Sequence, residues 1–497
     1  MLDIKQDMRP LLARSVTYAN VERQQAGFVP STAERNEVEF TMSLLASSLP
    51  DIDAEIGRLY VLRERVCTQL DISKSVLAPV WRLPVEIISQ IFLHVCGTTS
   101  EAFDQAVVLA RVCLSWRTIA WSIPQLWNHI SSSGTHTRTR AVPSFAEQAA
   151  LSGTLPLHIN HLRGSDDALP ARLLEELCPH ASRWRTLEIG APCAVFDAIP
   201  IIDMPNLADV RIDLVGPPTS ESLGFLAGAS DLRQLTLKLF PNLGYEWDIL
   251  QMPPLRTLTR LTLVMRQFTH ISLRAVLSAL SHCSLSLAYL KVAGGISGAD
   301  DLSVPSGPTI MNGLLVADLA GAALALLDRV AMPRIEELIL RERKHMRHDP
   351  LSLLLVFLCH PAHAEHRHLQ RLTVAITWKI DQDLFLRCLE KLGELRELRV
   401  ENDSWDTLGL MTEDTVNHLT CTDDRIPLLP KLSKVVLRFC RRELLQMIQS
   451  PLRAMLMSRE RPRACASCDV SALEDMQIIV GMRGETSQIY RIRHTTT

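Results

Sequence analysis

The sequence predicts an α/β solenoid preceded by a small α-helical domain and an N-terminal helix, and three observations carry that prediction. Beyond Gly134 one spacing, apolar-x-x-apolar-x-apolar, returns repeatedly. Residues 79–130 hold two short amphipathic helical patterns closed by proline, and residues 51–78 hold an apolar stripe that recurs every seven residues. At 497 residues the chain is far longer than one core of roughly 100–200 residues needs, so several domains or one elongated array are required.

Residues 1–50 mix polar, Pro and Ser-rich stretches without a sustained period and are expected to be largely disordered. The pattern changes at Asp51. Ile52, Leu59 and Val66 recur every seven residues, flanked by Ile56, Leu62 and Leu70, which predicts a helix of about five turns. Gly57 weakens it slightly. The stripe is too short for a coiled coil, which takes three to four heptads, so it is expected to pack on its own protein.

In the segment RLPVEIISQIFLHV, Pro84 suits a first helical turn and Glu86 the positive end of the helix dipole. Ile87, Ile88, Ile91, Phe92 and Val95 form the apolar stripe. A further helix, QAVVLARVCLSWRTIAWS, carries Leu109, Val112, Cys113, Trp116 and Ile119, and Pro124 closes it before Leu126 and Trp127. About 50 residues of this kind bury little core alone, so their apolar faces are expected to lean on a neighbouring domain or a partner.

Taken in order, LPVEIISQIF, LARVCLSWRTIA and the spaced IPQLW closely resemble the F-box motif, and the preceding heptad-like helix resembles the form common in fungal, basidiomycete-like F-box proteins. The resemblance implies docking on a Skp-type adaptor, which in turn holds a cullin and a ring-finger subunit. By the same resemblance the adaptor-facing positions are Leu83, Pro84, Ile87, Ile91, Leu109, Val112, Cys113, Trp116 and Trp127.

Residues 131–150, Ser-, Thr- and Arg-rich over Ser131–Ser144, read as a linker, and LPLHINHL from Leu155 alternates like an opening strand. The array then occupies residues 151–497. Its triplets are Trp184, Leu187, Ile189; Leu207, Val210, Ile212; Leu232, Leu235, Leu237; Leu258, Leu261, Leu263; and Leu287, Leu290, Val292. They continue as Met311, Leu314, Val316; Ile335, Leu338, Leu340; Leu369, Leu372, Val374; Leu395, Leu398, Val400; and Leu432, Val435, Leu437, with a weaker copy at Leu473, Met476, Ile478. The first seven are separated by 23, 25, 26, 29, 24 and 24 residues, a period of leucine-rich-repeat type. Each triplet predicts a short strand with alternate side chains inward, and stacked copies share one core and leave a concave strand surface. The asparagine of the standard repeat is missing from most copies, so the repeats are irregular. Later offsets of 34, 26 and 37 imply insertions after Leu340 and Val400, the second being the acidic stretch Glu401–Arg425, expected as a solvated loop.

A formal net charge of -3 and 5% aromatics give no basic face and few stacking platforms for nucleic acid. Twelve cysteines without regular spacing, several in apolar stretches (Cys96, Cys113, Cys178, Cys283, Cys359, Cys388), point to a reducing compartment. The N-terminus lacks a secretory pattern and there is no run of 18 apolar residues, so neither secretion nor a membrane span is expected. The sequon at Asn402 is a chance-level match. The expected location is cytoplasm or nucleus.

Cys359, His360, His363, His366 and His368 offer zinc-ligand chemistry, but no second fixed pair accompanies them and Pro361 interrupts the helix. Cys465 and Cys468 form a lone Cys-x-x-Cys with loop-like residues upstream. Gly294, Gly295 and Gly298 lack a following Gly-Lys-Ser/Thr and read as a turn. The basic stretches Arg341–His348 and Ser458–Arg463 read as solvated loops. No catalytic motif, metal or cofactor site is expected. The sequence thus points to a non-catalytic adaptor of a ubiquitin ligase whose repeats bind a target protein. The rivals are a ligase-independent repeat scaffold and a metal-dependent enzyme built on the His cluster.

Overall fold

The first helices of the chain begin where no regular structure was expected. The structure, a computed structural model, describes residues 3–97, 102–131, 143–161, 168–216, 223–240, 246–247, 250, 252–266, 269–298, 308–342, 349–361, 368–375, 381–402, 409–422, 427–464, 469–481 and 488–493. It divides into two units, residues 1–88 and 89–497.

In the first unit, helix α1 (Asp3–Tyr18), a short α2 (Val21–Gln25) and α3 (Thr32–Val76) precede a 3-10 turn at Pro79–Arg82. α3 runs 45 residues, so the expectation of a largely disordered residues 1–50 is corrected. A capping box starts it: the Ser31 hydroxyl accepts from the Glu34 N–H, while the Glu34 carboxylate accepts the Ser31 N–H at 2.9 Å. The Ser31 hydroxyl also donates to that carboxylate at 2.7 Å, and this bond first, with the Ser31 N–H, holds Glu34 below the usual range. Pro10 and Pro50 lie inside α1 and α3 and, lacking N–H groups, break the apparent helical pattern without ending the helices. Arg14 of α1 pairs with Glu37 of α3 and sits over Phe40. The expectation that the stripe packs on its own protein is also corrected, because Ile56, Leu59, Leu62, Val66 and Leu70 are all exposed.

In the second unit a sheet of sixteen strands among the described residues is built almost entirely of parallel neighbours. Its main path is β1 (His129–Ser131), β2 (Leu157–His161), β3 (Trp184–Pro192), β4 (Asp209–Val215), β5 (Gln234–Phe240), β6 (Arg260–Met265), β7 (Tyr289–Ser297) and β8 (Val316–Gly321). It continues through β9 (Glu337–Arg341), β10 (Arg371–Ala375), β11 (Glu397–Asn402), β12 (Lys434–Phe439) and β13 (Asp475–Val480) to β14 (Gln488–Arg493). Every strand to β13 pairs parallel with its predecessor, and β14 alone on this path pairs antiparallel. Helices such as Leu273–Ser281 and Gln382–Glu390 return the chain between strands.

The pairing explains the recurring triplet. Leu187, Val210, Leu235, Leu261 and Leu290 lie side by side across successive strands, as do Leu338, Leu372, Leu398, Val435 and Met476. All are buried in one continuous core, with alternate side chains on the opposite face. Ahead of successive strands a carbonyl accepts from the start of the next strand, as Ala208 does from the Gln234 N–H at 3.0 Å and Arg233 from the Arg260 N–H at 2.9 Å.

One triplet is out of register. Ala317 and Leu319, not Leu314 and Val316, align with Leu290 and Val292, and Leu314 takes the leading position. An alanine at an inward position hides the copy, while buried Met311 three residues upstream imitates its start. The linker is corrected as well: β1 lies in it at Ser131 and begins the sheet ahead of Leu157, and the helix Phe145–Leu151 buries Phe145 and Ala149. Gly294 and Gly295 are within β7 rather than in a turn. At Gly294, φ is +129° and an added Cβ would lie 2.7 Å from the Met265 carbonyl oxygen, so the glycine permits close strand approach. The stretch from Glu401 is not simply a solvated loop, because it contains the helix Glu413–Leu419, which buries Val416 and Leu419.

This register has a direct test. Leu235 is fully buried between Val210 and Leu261, so Leu235→Asp strands a charge in the shared core and is expected to cost about 4 kcal/mol. Thermal unfolding unchanged by that substitution would refute the register.

Candidate functional site

Leu83 and Pro84 follow the 3-10 turn, and both are exposed. The Pro84 carbonyl accepts from the N–H groups of Ile87 and Ile88, each at 3.1 Å, and so opens the helix α4 (Val85–Cys96). The boundary between the two units falls within α4. Its predicted single stripe divides into two. Ile88, Phe92 and Cys96, spaced four apart, are buried, whereas Ile87, Ile91 and Val95, one residue earlier in each turn, are exposed by 47%, 41% and 49%. The resemblance named Ile87 and Ile91, the exposed members. Val95 it did not name, though the four-residue spacing from Ile91 was visible.

The single predicted helix from Gln105 to Ser122 is two: α5 (Ala102–Val112) and α6 (Leu114–Trp121). Cys113 breaks it, taking an extended backbone (φ -161°, ψ 174°) so that its Sγ accepts from the Trp116 N–H at 3.3 Å as the cap of α6. Arg117 closes the corner by donating from Nε to the Ala110 carbonyl at 3.0 Å. Trp116 stacks at a tilt on Phe92, ring centres 5.0 Å apart, and is half-buried like Leu109 and Cys113. Val112 is exposed, as are the unanticipated Val108, Leu114 and Trp121.

Trp127 is a correction. It is fully buried, its indole N–H donates to the Ala120 carbonyl at 2.8 Å, and its ring meets Phe103 edge-on at 6.4 Å. A side chain so enclosed ties the turn after α6 to Ala120 of α6 and Phe103 of α5 and cannot face a partner. Its place at the end of a motif carried no burial information.

A second candidate surface is the outward face of the sheet. Strands β1 to β7 line a groove of about 640 Å³ with their alternate side chains. Charges there are largely matched across neighbouring strands: Arg211 with Glu188 at 2.8 Å, Lys238 with Asp213 at 3.3 Å, Lys291 with Asp318 at 3.3 Å. Arg260 lies over the Tyr289 ring, 4.4 Å from its centre. Burial raises Asp209, against the pull of Arg211. At one edge His129 and His158 stack 4.5 Å apart, and burial lowers both. The outward face is therefore polar, with its charges largely matched.

The remaining motifs contribute little. His363 and His366, and Cys465 and Cys468, lie outside the described residues; Cys359, expected among apolar neighbours, is exposed. No group of three or more metal-binding side chains occurs among the described residues. Burial pushes the Cys283 and Cys388 thiols up to about 12, which leaves them as inert core. Most of the basic stretch from Arg341 lies outside the described residues, and Arg341 itself pairs with Asp318. Arg459, from the other basic stretch, is a correction: it is fully buried rather than solvated.

Comparison with known families agrees with the helical segment. A family model described as F-box-like matches residues 80–133, which include α4, α5, α6 and β1. No curated protein matches the chain. The match supports an F-box protein; domains of this family in general bind Skp-type adaptors and are typically non-catalytic.

Proposed function

We propose that the chain is the substrate-recognition subunit of a Skp, cullin, F-box type E3 ubiquitin ligase. The single observation that carries this is the F-box-like match over residues 80–133, joined to the exposed apolar row Ile87, Ile91 and Val95 on α4. In this reading Leu83, Pro84, Ile87, Ile91, Leu109, Val112, Cys113 and Trp116 meet the adaptor, which brings a cullin. The parallel sheet is an irregular leucine-rich-repeat solenoid whose outward face holds a target protein, with the Arg260–Tyr289 pair as an anchor of the aromatic and arginine type that dominates binding surfaces. The chain supplies no chemistry of its own; it raises the effective concentration of target lysines near the charged ubiquitin carrier. Such work places it in the cytoplasm or nucleus.

The test is capture of purified Skp-type adaptor by the intact chain and by a Leu83→Ala, Pro84→Ala variant of verified thermal stability. Binding by the intact chain that drops at least tenfold in the variant is the expected result. Failure of the intact chain to bind would leave a ligase-independent repeat scaffold as the better account.

A further inference from the structure

Helix α3 changes what its own spacing means. Read only from Asp51 the stripe was too short for a coiled coil, but the helix is continuous from Thr32 to Val76, so the pattern extends back across Pro50. Leu49, Ile52, Ile56, Leu59, Val66 and Leu70 fall on alternating steps of three and four, with Arg63 filling the one gap. That is about three heptads, the length at which a paired helix becomes stable. Five of the six apolar residues are exposed, from 37% at Leu59 to 59% at Val66, and Ile52 is half-buried. A row this long and apolar on the surface of a helix is an unfilled seam.

Charge decides what fills it. The helix is acidic before the middle of the seam, at Asp51, Asp53 and Glu55, and mainly basic after it, at Arg58, Arg63 and Arg65 with Glu64 between the last two. Two parallel copies in register would place Arg63 against Arg63 in one core layer, flanked by Leu62 and Cys67, with Glu64 on the outer side of the helix. Turned antiparallel, with Ile56 of one copy level with Leu59 of the other, the helices seat Arg63 beside Ile52. Its guanidinium then lies within reach of Asp53 and Glu55 of the second copy, and the same pairing recurs by symmetry at the other end. The seam is self-complementary in that direction only.

We propose that the chain self-associates as an antiparallel pair of α3 helices centred between Ile56 and Leu59. A dimer of this form carries two copies of every other site on the chain. The proposal stands whether or not the F-box-like segment binds an adaptor, because it uses residues before Pro79 alone.

The experiment uses the full chain in sedimentation equilibrium at tens of micromolar. Twice the chain mass is expected, and a Leu59→Asp, Val66→Asp variant, changed only at exposed positions, is expected to be monomeric with unaltered helical circular dichroism. Orientation is read separately: an Ala46→Cys variant is expected to form an oxidised covalent dimer through the exposed Cys67 of the second copy, which a parallel pair holds far away. Arg63→Glu is expected to weaken association at least tenfold, and adding Asp53→Arg and Glu55→Arg to restore it. A monomer at every concentration overturns the proposal, including the case in which added adaptor protects Cys67 from alkylation and so shows that a different protein covers the face. A dimer indifferent to Leu59→Asp, Val66→Asp, or one in which Ala46→Cys forms no cross-link, overturns it equally.

Discussion

An Ile87→Asp, Ile91→Asp double substitution is expected to abolish capture of a Skp-type adaptor, lowering affinity at least about 100-fold, or roughly 2.7 kcal/mol, while thermal stability changes by less than about 1 kcal/mol. The two halves of this expectation come from the same helix. Ile87 and Ile91 point away from the fold and are nearly half exposed, so a carboxylate there stays hydrated in the free chain. In a complex that covers them, each carboxylate is desolvated against an apolar partner, at a cost of about 1–3 kcal/mol apiece. Ile88 and Phe92, the neighbouring residues in each turn, give the control. Both are buried, Phe92 against Trp116, so Phe92→Asp is expected to unfold this helical region and lose binding for that reason. Isothermal titration beside a thermal scan separates the cases. Undiminished binding by the double variant would dismiss α4 as the docking element, and a collapse of its melting transition would show that the two isoleucines are structural.

How far the sequence carried depended on whether burial was encoded locally. Strand register was legible at Leu235 or Leu398 because a leucine between polar neighbours at alternate positions has one sensible orientation in a half-buried strand. It failed at β8, where Ala317 occupies the inward position and Met311 and Leu314 offered a better-looking triplet. The F-box-like motif was legible as an order of residues, but the assignment of Trp127 to the docking face failed, since the motif records which residues recur and not which side of a helix they occupy. Local chemistry also hid the break at Cys113, where a thiol caps a helix in a place that Ser or Asp ordinarily takes. Pro50 lies inside the long helix, at the end of residues whose sequence shows no sustained period, and the seam on α3 runs back across it. The least legible residue was Arg459, whose neighbours Ser458, Glu460, Arg461 and Pro462 read together as a solvated loop.

Replacing that arginine is expected to have the largest effect on stability of any substitution in a polar stretch of the chain. Arg459 closes the helix Arg442–Ser458 and is 0% exposed, with Nε donating to the Leu419 carbonyl at 2.8 Å, Nη1 to Leu429 at 3.1 Å and Nη2 to Leu428 at 2.9 Å. Its own carbonyl accepts from the Leu473 N–H at 2.9 Å, just ahead of β13. The guanidinium therefore ties the helix Glu413–Leu419 to the turn before β12, while the backbone carbonyl of the same residue holds the approach to β13. Leu429 in that turn has φ of +57°, the one described non-glycine residue held in the left-handed region, which a leucine adopts only where its surroundings compel it. Burial lowers the Arg459 pKa to about 10, still far enough above neutrality that the group remains charged and keeps the three donors it uses. Arg459→Met keeps most of the volume but leaves three carbonyls without these donors, at about 1–3 kcal/mol each, for an expected loss of about 4 kcal/mol. Arg459→Lys, a point donor without the planar fork, recovers only part of it. Because each strand pairs only with its neighbours along the continuous core, the loss is expected to be local. Amide hydrogen exchange should accelerate across β12 and β13 and leave β4 to β6 protected. Uniform acceleration over the whole sheet would mean that the array unfolds as one cooperative body, and unchanged exchange would mean that the buried guanidinium holds nothing together.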